Sequence, residues 1–377
     1  MKNKSGIRKM RIVIKAGTNL IADEKGIRKE FLKNFVKQVS LLYKKGNEII
    51  IVSSGAIGTG IKRLGFEKKT FSLPEKQAIA AVGQVVLMQE YKKLFRECGI
   101  PVAQILLDHD DVKNKEKNIN ARNTMNKLLE WKVVPVINEN DTVATEEIKF
   151  GDNDALAGIV AGLINADRVF ILTNVDGVFT KNPQKYKDAK IIPYIENVHE
   201  VIKKLELKGK TSYGTGGMFS KLQTAQKLNY LGIPLVIING NRKRMLEEAA
   251  ARIGDDEGAG TFIQKKNVKP AARKKWILTS LKTRGIIVID EGAKSFIIEK
   301  GKSLLAVGVK DCGGDFMFGD AVEIRDEKAN IIGKGITNYK AEELKKIKGK
   351  KTSEIKKTAG KSFYEEVIHR DNMFLYG

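Results

Sequence analysis

The chain has 377 residues, of which 42% are hydrophobic, and its 68 Lys and Arg against 45 Asp and Glu give a net charge of +23. This length allows two or three domains with at least one large core, and the composition excludes a disordered chain. No apolar run reaches the length of a transmembrane helix, and no signal-peptide core follows the basic N-terminus, so we expect no membrane association.

The cysteines and histidines give no metal-ligand pattern. Cys98 and Cys312 lie far apart, and the three histidines are scattered along the chain. Unpaired cysteines are typical of a reducing compartment. We therefore expect a cytoplasmic protein without a metal site of its own.

The basic balance has three interpretations: a nucleic-acid partner, an anionic small substrate, or a lysine-rich solvated surface. Lysine is spread over most of the chain, which favours the solvated surface. The charge alone identifies no partner.

The first 264 residues alternate apolar strand-like runs with helical patterns. The predicted strands are 10–14, 48–52, 101–107, 133–137, 168–172 and 234–238, and the predicted helices are 31–43, 77–95, 121–131, 155–164 and 221–231. Strands that are continuously apolar are buried on both faces, as in a parallel sheet covered by helices. The pattern predicts an α/β fold over residues 1–264, a three-layer αβα sandwich with a mainly parallel sheet.

The composition changes after residue 264. Residues 265–275 are basic, contain Pro270 and are typical of a linker. Short strand-like segments separated by glycine follow, at 286–289, 296–298, 304–309, 321–324 and 331–336. This spacing predicts a small all-β barrel within residues 276–377, which include the C-terminal tail.

An acidic cluster follows the fourth predicted strand. Asp141, Asp152 and Asp154 come after the strand 133–137, and Asp154 begins a helix rich in small residues. The carboxylates could simply cap that helix. However, ligands of open α/β sheets bind outside the carboxyl ends of the strands, so the crowding of three acids there favours a ligand site.

Two glycine-rich loops could present backbone N–H groups to phosphate. The loops are Ser53–Gly58 and Gly214–Lys221. Either one alone could be a simple turn. Neither has the spacing of a P-loop or of a dinucleotide-binding loop, so the pattern favours a kinase of another architecture.

Lys15 and Lys221 strengthen the prediction of a phosphate site. Lys15 ends an apolar strand, where a cation is costly unless it meets an anion, and Lys221 lies near a helix start, where the helix dipole disfavours a cation. A phosphate between them explains both positions, and Asp154 could hold the two ammonium groups. With Mg²⁺ on a nucleotide, these groups would position and neutralise a transferring phosphoryl group.

The absence of a plausible histidine base suits one kind of acceptor. A carboxylate is ionised at pH 7 and needs no general base. The residues therefore favour phosphoryl transfer to a carboxylate.

Five segments together resemble the amino-acid kinase family, and within it the kinases of L-glutamate. They occur in the family's order and spacing: Lys15–Thr18, Val52–Ile57, Asn138–Asp141, Gly151–Asp154 and Gly214–Lys221. The C-terminal region resembles a PUA domain through Val288–Ala293, Ser303–Leu305, Gly319–Asp320 and Gly333–Gly335.

The resemblance implies ATP-dependent phosphorylation of the L-glutamate side-chain carboxylate, with Mg²⁺, to give glutamyl 5-phosphate in the first step of proline synthesis. It also implies feedback inhibition by proline, a homo-oligomer, and hand-over of the product to glutamyl phosphate reductase. RNA binding by the PUA domain is an open expectation.

The resemblance also assigns roles to residues. Lys15 and Lys221 would stabilise the transferring phosphoryl group, Asp154 would orient them, and glutamate would be bound by Ser54, Asp141 and Asn153. The nucleotide would be bound by Lys15, Thr173, Asn174, Thr215, Gly216, Gly217, Met218, Phe219, Ser220 and Lys221. Many members have Asp where this chain has Asn174, which bears on the nucleotide contact.

Two other interpretations stay open. The first is an amino-acid kinase that acts on aspartate, N-acetylglutamate or carbamate, which the Gly-Asp-Asn-Asp cluster and the appended barrel disfavour. The second is an RNA-binding protein that acts through the PUA domain. The tail lacks the interleaved aromatic residues that stack on single-stranded bases.

Overall fold

The computed structural model describes residues 9–24, 26–67, 70–108, 111–112, 114–144, 153–207, 217–252, 258–266, 274, 277–278, 281–359 and 364–376. The chain divides into two compact units, Met1–Val268 and Lys269–Gly377. The predicted linker at 265–275 stays a prediction, because most of it lies outside the described residues. No helix in the described part is long and apolar enough to cross a membrane.

The first unit contains an eight-stranded sheet and a small hairpin. Its strands are β1 (Arg11–Ala16), β2 (Ala22–Asp23), β3 (Gly26–Ile27), β4 (Glu48–Val52), β5 (Val102–Leu107), β6 (Val134–Glu139), β7 (Arg168–Thr173), β8 (Tyr194–Ile195), β9 (Leu235–Asn239) and β10 (Thr261–Ile263). The strand order of the large sheet is β5-β6-β4-β1-β7-β9-β10-β8. All neighbours in it are parallel except β9 and β10.

The helices of this unit in the described residues include α1 (Thr18–Ile21), α2 (Lys29–Lys44), α3 (Ala56–Leu64), α4 (Leu73–Glu97), α5 (Lys115–Glu130), α6 (Asn153–Leu163), α7 (Val198–Leu207), α8 (Gly217–Tyr230) and α9 (Met245–Ala251). Ile12, Val13 and Ile14 of the central strand are all fully buried, as a sheet covered on both faces requires. The predicted α/β fold with a mainly parallel sheet is therefore confirmed.

The second unit is built on a five-stranded sheet in the order β13-β11-β14-β15-β17. Its strands are β11 (Thr283–Ile289), β12 (Leu304–Leu305), β13 (Val309–Gly314), β14 (Ala321–Asp326), β15 (Ile331–Ile336), β16 (Glu366–Ile368) and β17 (Met373–Leu375). Among the described residues they are accompanied by the helices α10 (Glu291–Glu299), α11 (Ala341–Ile347) and α12 (Thr352–Ala359).

One strand prediction in this unit is wrong, and a second, 304–309, holds only at its ends, because Ala306–Gly308 form a 3₁₀ turn between β12 and β13. The apolar residues 296–298 lie in α10, not in a strand. Asp290 caps this helix, since its carboxylate accepts a hydrogen bond of 2.7 Å from the Ala293 backbone N–H. The helix buries Ile297 and leaves Phe296 and Ile298 exposed. A short apolar run of this kind does not distinguish a strand from one turn of a helix.

Candidate active site

Lys15 lies near the carboxyl end of β1. The chain first adds strands on the β4 side of β1 and later adds strands on its β7 side, so the direction of the connections reverses at β1. Lys15 pairs in register with Val52 of β4 on one side and with Ile171 of β7 on the other. In open α/β sheets the crevice at this switch point is where ligands bind. The topology therefore places Lys15 at the edge of the expected site.

Asp154 joins the two lysines that the sequence singled out. One of its carboxylate oxygens lies 2.7 Å from the Lys15 Nζ atom, and the other lies 2.6 Å from the Lys221 Nζ atom. Asp154 is fully buried, and the two lysine side chains are only 6% and 11% exposed. One carboxylate thus holds two buried ammonium groups, whose net excess of positive charge suits an anionic ligand.

Each member of this ion triad comes from a different element. Asp154 is the second residue of α6, and Lys221 lies in the first turns of α8, where its Nζ also donates to the Gly217 carbonyl at 3.2 Å. The two helices pack directly against each other. Gly158, one turn after Asp154, faces Thr224, so a residue without a side chain allows the close approach.

A buried polar network supports the wall beside the triad. The Asn153 Nδ2 group donates to the Ser53 carbonyl, to the Ser54 Oγ atom at 2.9 Å and to the Asn138 Oδ1 atom at 2.8 Å. The Asn138 Nδ2 group donates in turn to the Gln84 Oε1 atom of α4 at 2.8 Å. The network fixes the ends of β4 and β6 against the start of α6.

Tyr91 of α4 closes the network from the other side. Its hydroxyl lies 3.1 Å from the Ser53 Oγ atom, and its side chain is fully buried. Burial raises the pKa of Tyr91 well above its ordinary value, while the hydrogen bond with Ser53 acts in the opposite direction. The phenol is therefore neutral at physiological pH and serves as a fixed hydrogen-bonding group.

A cleft of about 390 Å³ opens above the triad. It exposes three lysines, Lys15, Lys181 and Lys221, together with polar groups such as Asn19 and Ser54. None of the described residues that line it is acidic, because Asp154 lies buried behind the lysines. The charge and polarity of the cleft suit a ligand with several phosphates.

Most of the predicted site residues meet at this cleft. Those that line it are Lys15, Ser54, Asn153, Thr173, Asn174, Gly217, Met218 and Lys221. Phe219 and Ser220 lie in α8 outside the lining, and Asp141 is half-buried in the turn after β6, also outside it. Thr215 and Gly216 fall outside the described residues. The individual binding roles stay predictions.

One segment of the cleft is not predicted by any pattern in the sequence. Residues 177–179 and 181–184 line it, although no motif marked them. Gly177 has a φ of 153° and a β-carbon there would lie 2.6 Å from the Thr261 Oγ1 atom, so this turn requires glycine. Lys181 is held by Asp188 at 2.5 Å. The glycine was the one available signal.

The described residues contain no group of three or more His, Cys, Asp and Glu side chains placed to hold a metal ion.

Comparison with known proteins finds one family match within each unit. Residues 10–239 match the amino acid kinase family, and residues 285–358 match the PUA domain. The chain is 44% identical over 365 residues to the glutamate 5-kinase of Caldanaerobacter subterraneus and 44% identical over 366 residues to that of Dictyoglomus thermophilum; in both cases the match covers 97% of each chain. Among solved structures, the UMP kinase of Ureaplasma parvum is 17% identical with a TM-score of 0.47, over 69% of this chain and all of that one.

The chain therefore belongs to the amino acid kinase family. Within that family it groups with the glutamate 5-kinases, which it matches over almost its whole length.

Proposed function

We propose that this protein transfers the γ-phosphoryl group of MgATP to the side-chain carboxylate of L-glutamate, which yields glutamyl 5-phosphate and ADP for proline synthesis. The observation that carries the proposal is the buried Asp154 between the Lys15 and Lys221 ammonium groups. The similarity to glutamate 5-kinases supports L-glutamate as the acceptor of the phosphoryl group.

The reaction needs charge neutralisation more than acid–base chemistry. A glutamate carboxylate oxygen forms the new bond to the γ-phosphorus, the bond from that phosphorus to the ADP oxygen breaks, and no proton has to move. Lys15 and Lys221 would neutralise the charge that gathers on the transferring group and the leaving oxygen. Asp154 would keep both ammonium groups fixed before the nucleotide arrives.

The geometry of the cleft supports an assignment of the two substrate positions. Ser54 and Asn153 stand on the side of the triad formed by the ends of β4 and β6, which we assign to glutamate. Thr173, Asn174 and the start of α8 stand on the other side, which we assign to the nucleotide. Phosphoryl transfer between the two would then take place in front of the lysines.

The family relationship also supports several finer proposals. We infer inhibition by proline, a homo-oligomeric state, and hand-over of the labile acyl phosphate to glutamyl phosphate reductase. The two free cysteines and the metabolic substrates favour a cytoplasmic location.

The choice of acceptor is tested by glutamate-dependent ADP release, with aspartate, N-acetylglutamate and carbamate as competing acids. We expect L-glutamate to have by far the highest kcat/KM. A higher kcat/KM for any of the other acids would assign the chain to a different acceptor.

A further inference from the structure

The side-chain amides of Asn138 and Asn153 share one orientation, which a backbone group at each amide and the Gln84 side chain favour together. The Glu139 backbone N–H, which can only donate, points at the Asn138 Oδ1 atom at 3.0 Å. The Ser53 carbonyl, which can only accept, receives a hydrogen bond from the Asn153 Nδ2 group. Neither amide can be reversed without placing two donors or two acceptors face to face.

The orientation of Asn153 decides which of its atoms remains for a ligand. Its Nδ2 group shares two hydrogens among Ser53, Ser54 and Asn138. In the part of the chain that the structure describes, its Oδ1 atom has no hydrogen-bond partner, although the residue lines the cleft. Asn153 therefore offers the cleft an acceptor.

Ser54 has the opposite polarity. Its Oγ atom already accepts from Asn153 at 2.9 Å, so its hydroxyl hydrogen is left to donate. Ser54 also lines the cleft, and its side chain is otherwise buried. The wall beside the triad thus presents one acceptor and one donor at neighbouring positions.

We propose that Gln84 and Asn138 are positioning residues that fix this polarity, so that Asn153 selects an N–H or O–H donor on the α-carbon of the substrate while Ser54 donates to its α-carboxylate. Gln84 is 8% exposed and Asn138 is 2% exposed, and neither is among the residues that line the cleft. They act through Asn153. The Gln84 Oε1 atom accepts a hydrogen bond from the Asn138 Nδ2 group, and the Asn138 Oδ1 atom is then oriented to accept from Asn153.

The inference rests on the proposed function, since it assumes a glutamate-like acid in this wall. It adds a requirement that the phosphoryl-transfer chemistry does not contain. A substrate analogue with a donor at the α-carbon forms a hydrogen bond with the Asn153 Oδ1 atom. An analogue with only an acceptor there leaves that atom without a hydrogen bond and places two acceptors face to face.

The test compares 2-hydroxyglutarate with 2-oxoglutarate. Both carry two carboxylates, but the hydroxyl can donate to Asn153 and the ketone cannot. Dissociation constants are measured by titration calorimetry on the full-length protein with MgADP present. We expect 2-hydroxyglutarate to bind about tenfold or more tightly than 2-oxoglutarate, the ratio that one hydrogen bond is worth.

Three variants separate positioning from general stability. Gln84→Met removes the acceptor and should reduce the preference to about threefold or less, whereas Gln84→Glu keeps an acceptor and should retain it. Gln38→Met is the matched control, because Gln38 is also a buried glutamine but binds Lys243 and Leu246 away from the cleft. It should lower the melting temperature without changing the preference.

Equal or tighter binding of 2-oxoglutarate by the wild type would overturn the inference, as would failure of both analogues to bind. A loss of preference in Gln38→Met equal to that in Gln84→Met would also overturn it. Failure of the proposed function would be seen in a different experiment, as the absence of glutamate-dependent ADP release. The binding measurements do not depend on ADP release.

Discussion

Gly158 lies so close to Thr224 that a β-carbon at position 158 would be 2.9 Å from the Thr224 Cγ2 atom. This contact sets the distance between α6, which carries Asp154, and α8, which carries Lys221. The 2.6 Å ion pair between those two side chains therefore depends on a glycine that takes no part in it.

Gly158→Ala should lower kcat strongly while it lowers the free energy of unfolding only moderately. The added methyl group must push α8 away from α6, and a displacement of about 1 Å at a phosphoryl-transfer site can cost about 10²-fold in rate. Overpacking of this size costs about 1–3 kcal/mol of unfolding free energy. Steady-state kinetics and thermal melting measure the two effects separately.

The double variant Gly158→Ala with Thr224→Ser is the control for that prediction. Serine lacks the Cγ2 atom that the new methyl group would meet, so the double variant should recover most of the lost kcat. A double variant as slow as the single one would show that the helix contact does not position the triad.

Lys221→Ala should reduce kcat by about 10²–10³-fold, because its ammonium group is needed most when charge develops on the transferring phosphoryl group. The KM for glutamate should change much less. Lys203→Ala, at an exposed lysine of the neighbouring helix α7, should have wild-type kinetics. A Lys221→Ala enzyme with near-normal kcat would remove this residue from the mechanism.

Asp141→Asn should raise the KM for glutamate while that for ATP changes little. The carboxylate of Asp141 is expected to pair with the substrate ammonium, and loss of one partner of a buried pair costs up to about 3–5 kcal/mol. Since Asp141 is only half-buried, we expect a rise of about tenfold or more, below that limit. N-acetylglutamate, which lacks the ammonium, should be a poor substrate of the wild type.

The matched control is Asp167→Asn. Asp167 holds the Arg11 backbone N–H at 2.8 Å at the opposite, amino edge of the sheet, so its loss should leave both KM values unchanged. An Asp141→Asn variant that weakened ATP and spared glutamate would instead place Asp141 on the nucleotide side.

Truncation after Val268 should leave a folded enzyme that still phosphorylates glutamate. Every candidate site residue precedes Leu222, and the division between the two units falls after Val268. Lys266 should be kept, because its backbone N–H donates to the Asn229 carbonyl at 3.1 Å. Glutamate-dependent ADP release by the truncated protein measures the outcome.

A shorter truncation, after Gly260, provides the contrast. It removes β10, a strand of the large sheet, and should melt at a much lower temperature. Complete inactivity of a cooperatively folded 1–268 protein would mean that the C-terminal unit contributes to the reaction.

The parts of the fold that the sequence predicts well are the strands formed by continuous apolar runs. The strand Glu48–Val52 was predicted to the residue, and β1 differs by one residue at its start and two at its end. Such strands are buried on both faces, so hydrophobicity alone defines them. In α10 the same kind of short run misled the prediction, although the capping residue Asp290 was visible in the sequence.

The ion triad of the candidate site was predictable, because its charged residues lie in an apolar context. Lys15 and Asp154 break apolar patterns, and a buried charge needs a partner. The segment 177–184 and the partners of Asn153 were not predictable, because they consist of ordinary loop and amide residues. Their positions depend on tertiary packing, which a local pattern does not contain.

The most direct test of the central claim is to trap the product. Glutamyl 5-phosphate reacts with hydroxylamine to give a stable hydroxamate, which is measured beside ADP in a reaction of the full-length protein with MgATP and L-glutamate. We predict one γ-glutamyl hydroxamate per ADP in the wild type, and a rate lower by about 10²-fold or more in Lys221→Ala. ADP release without hydroxamate, or hydroxamate formation at an undiminished rate in Lys221→Ala, would contradict the proposed transfer to the glutamate carboxylate in front of Lys15 and Lys221.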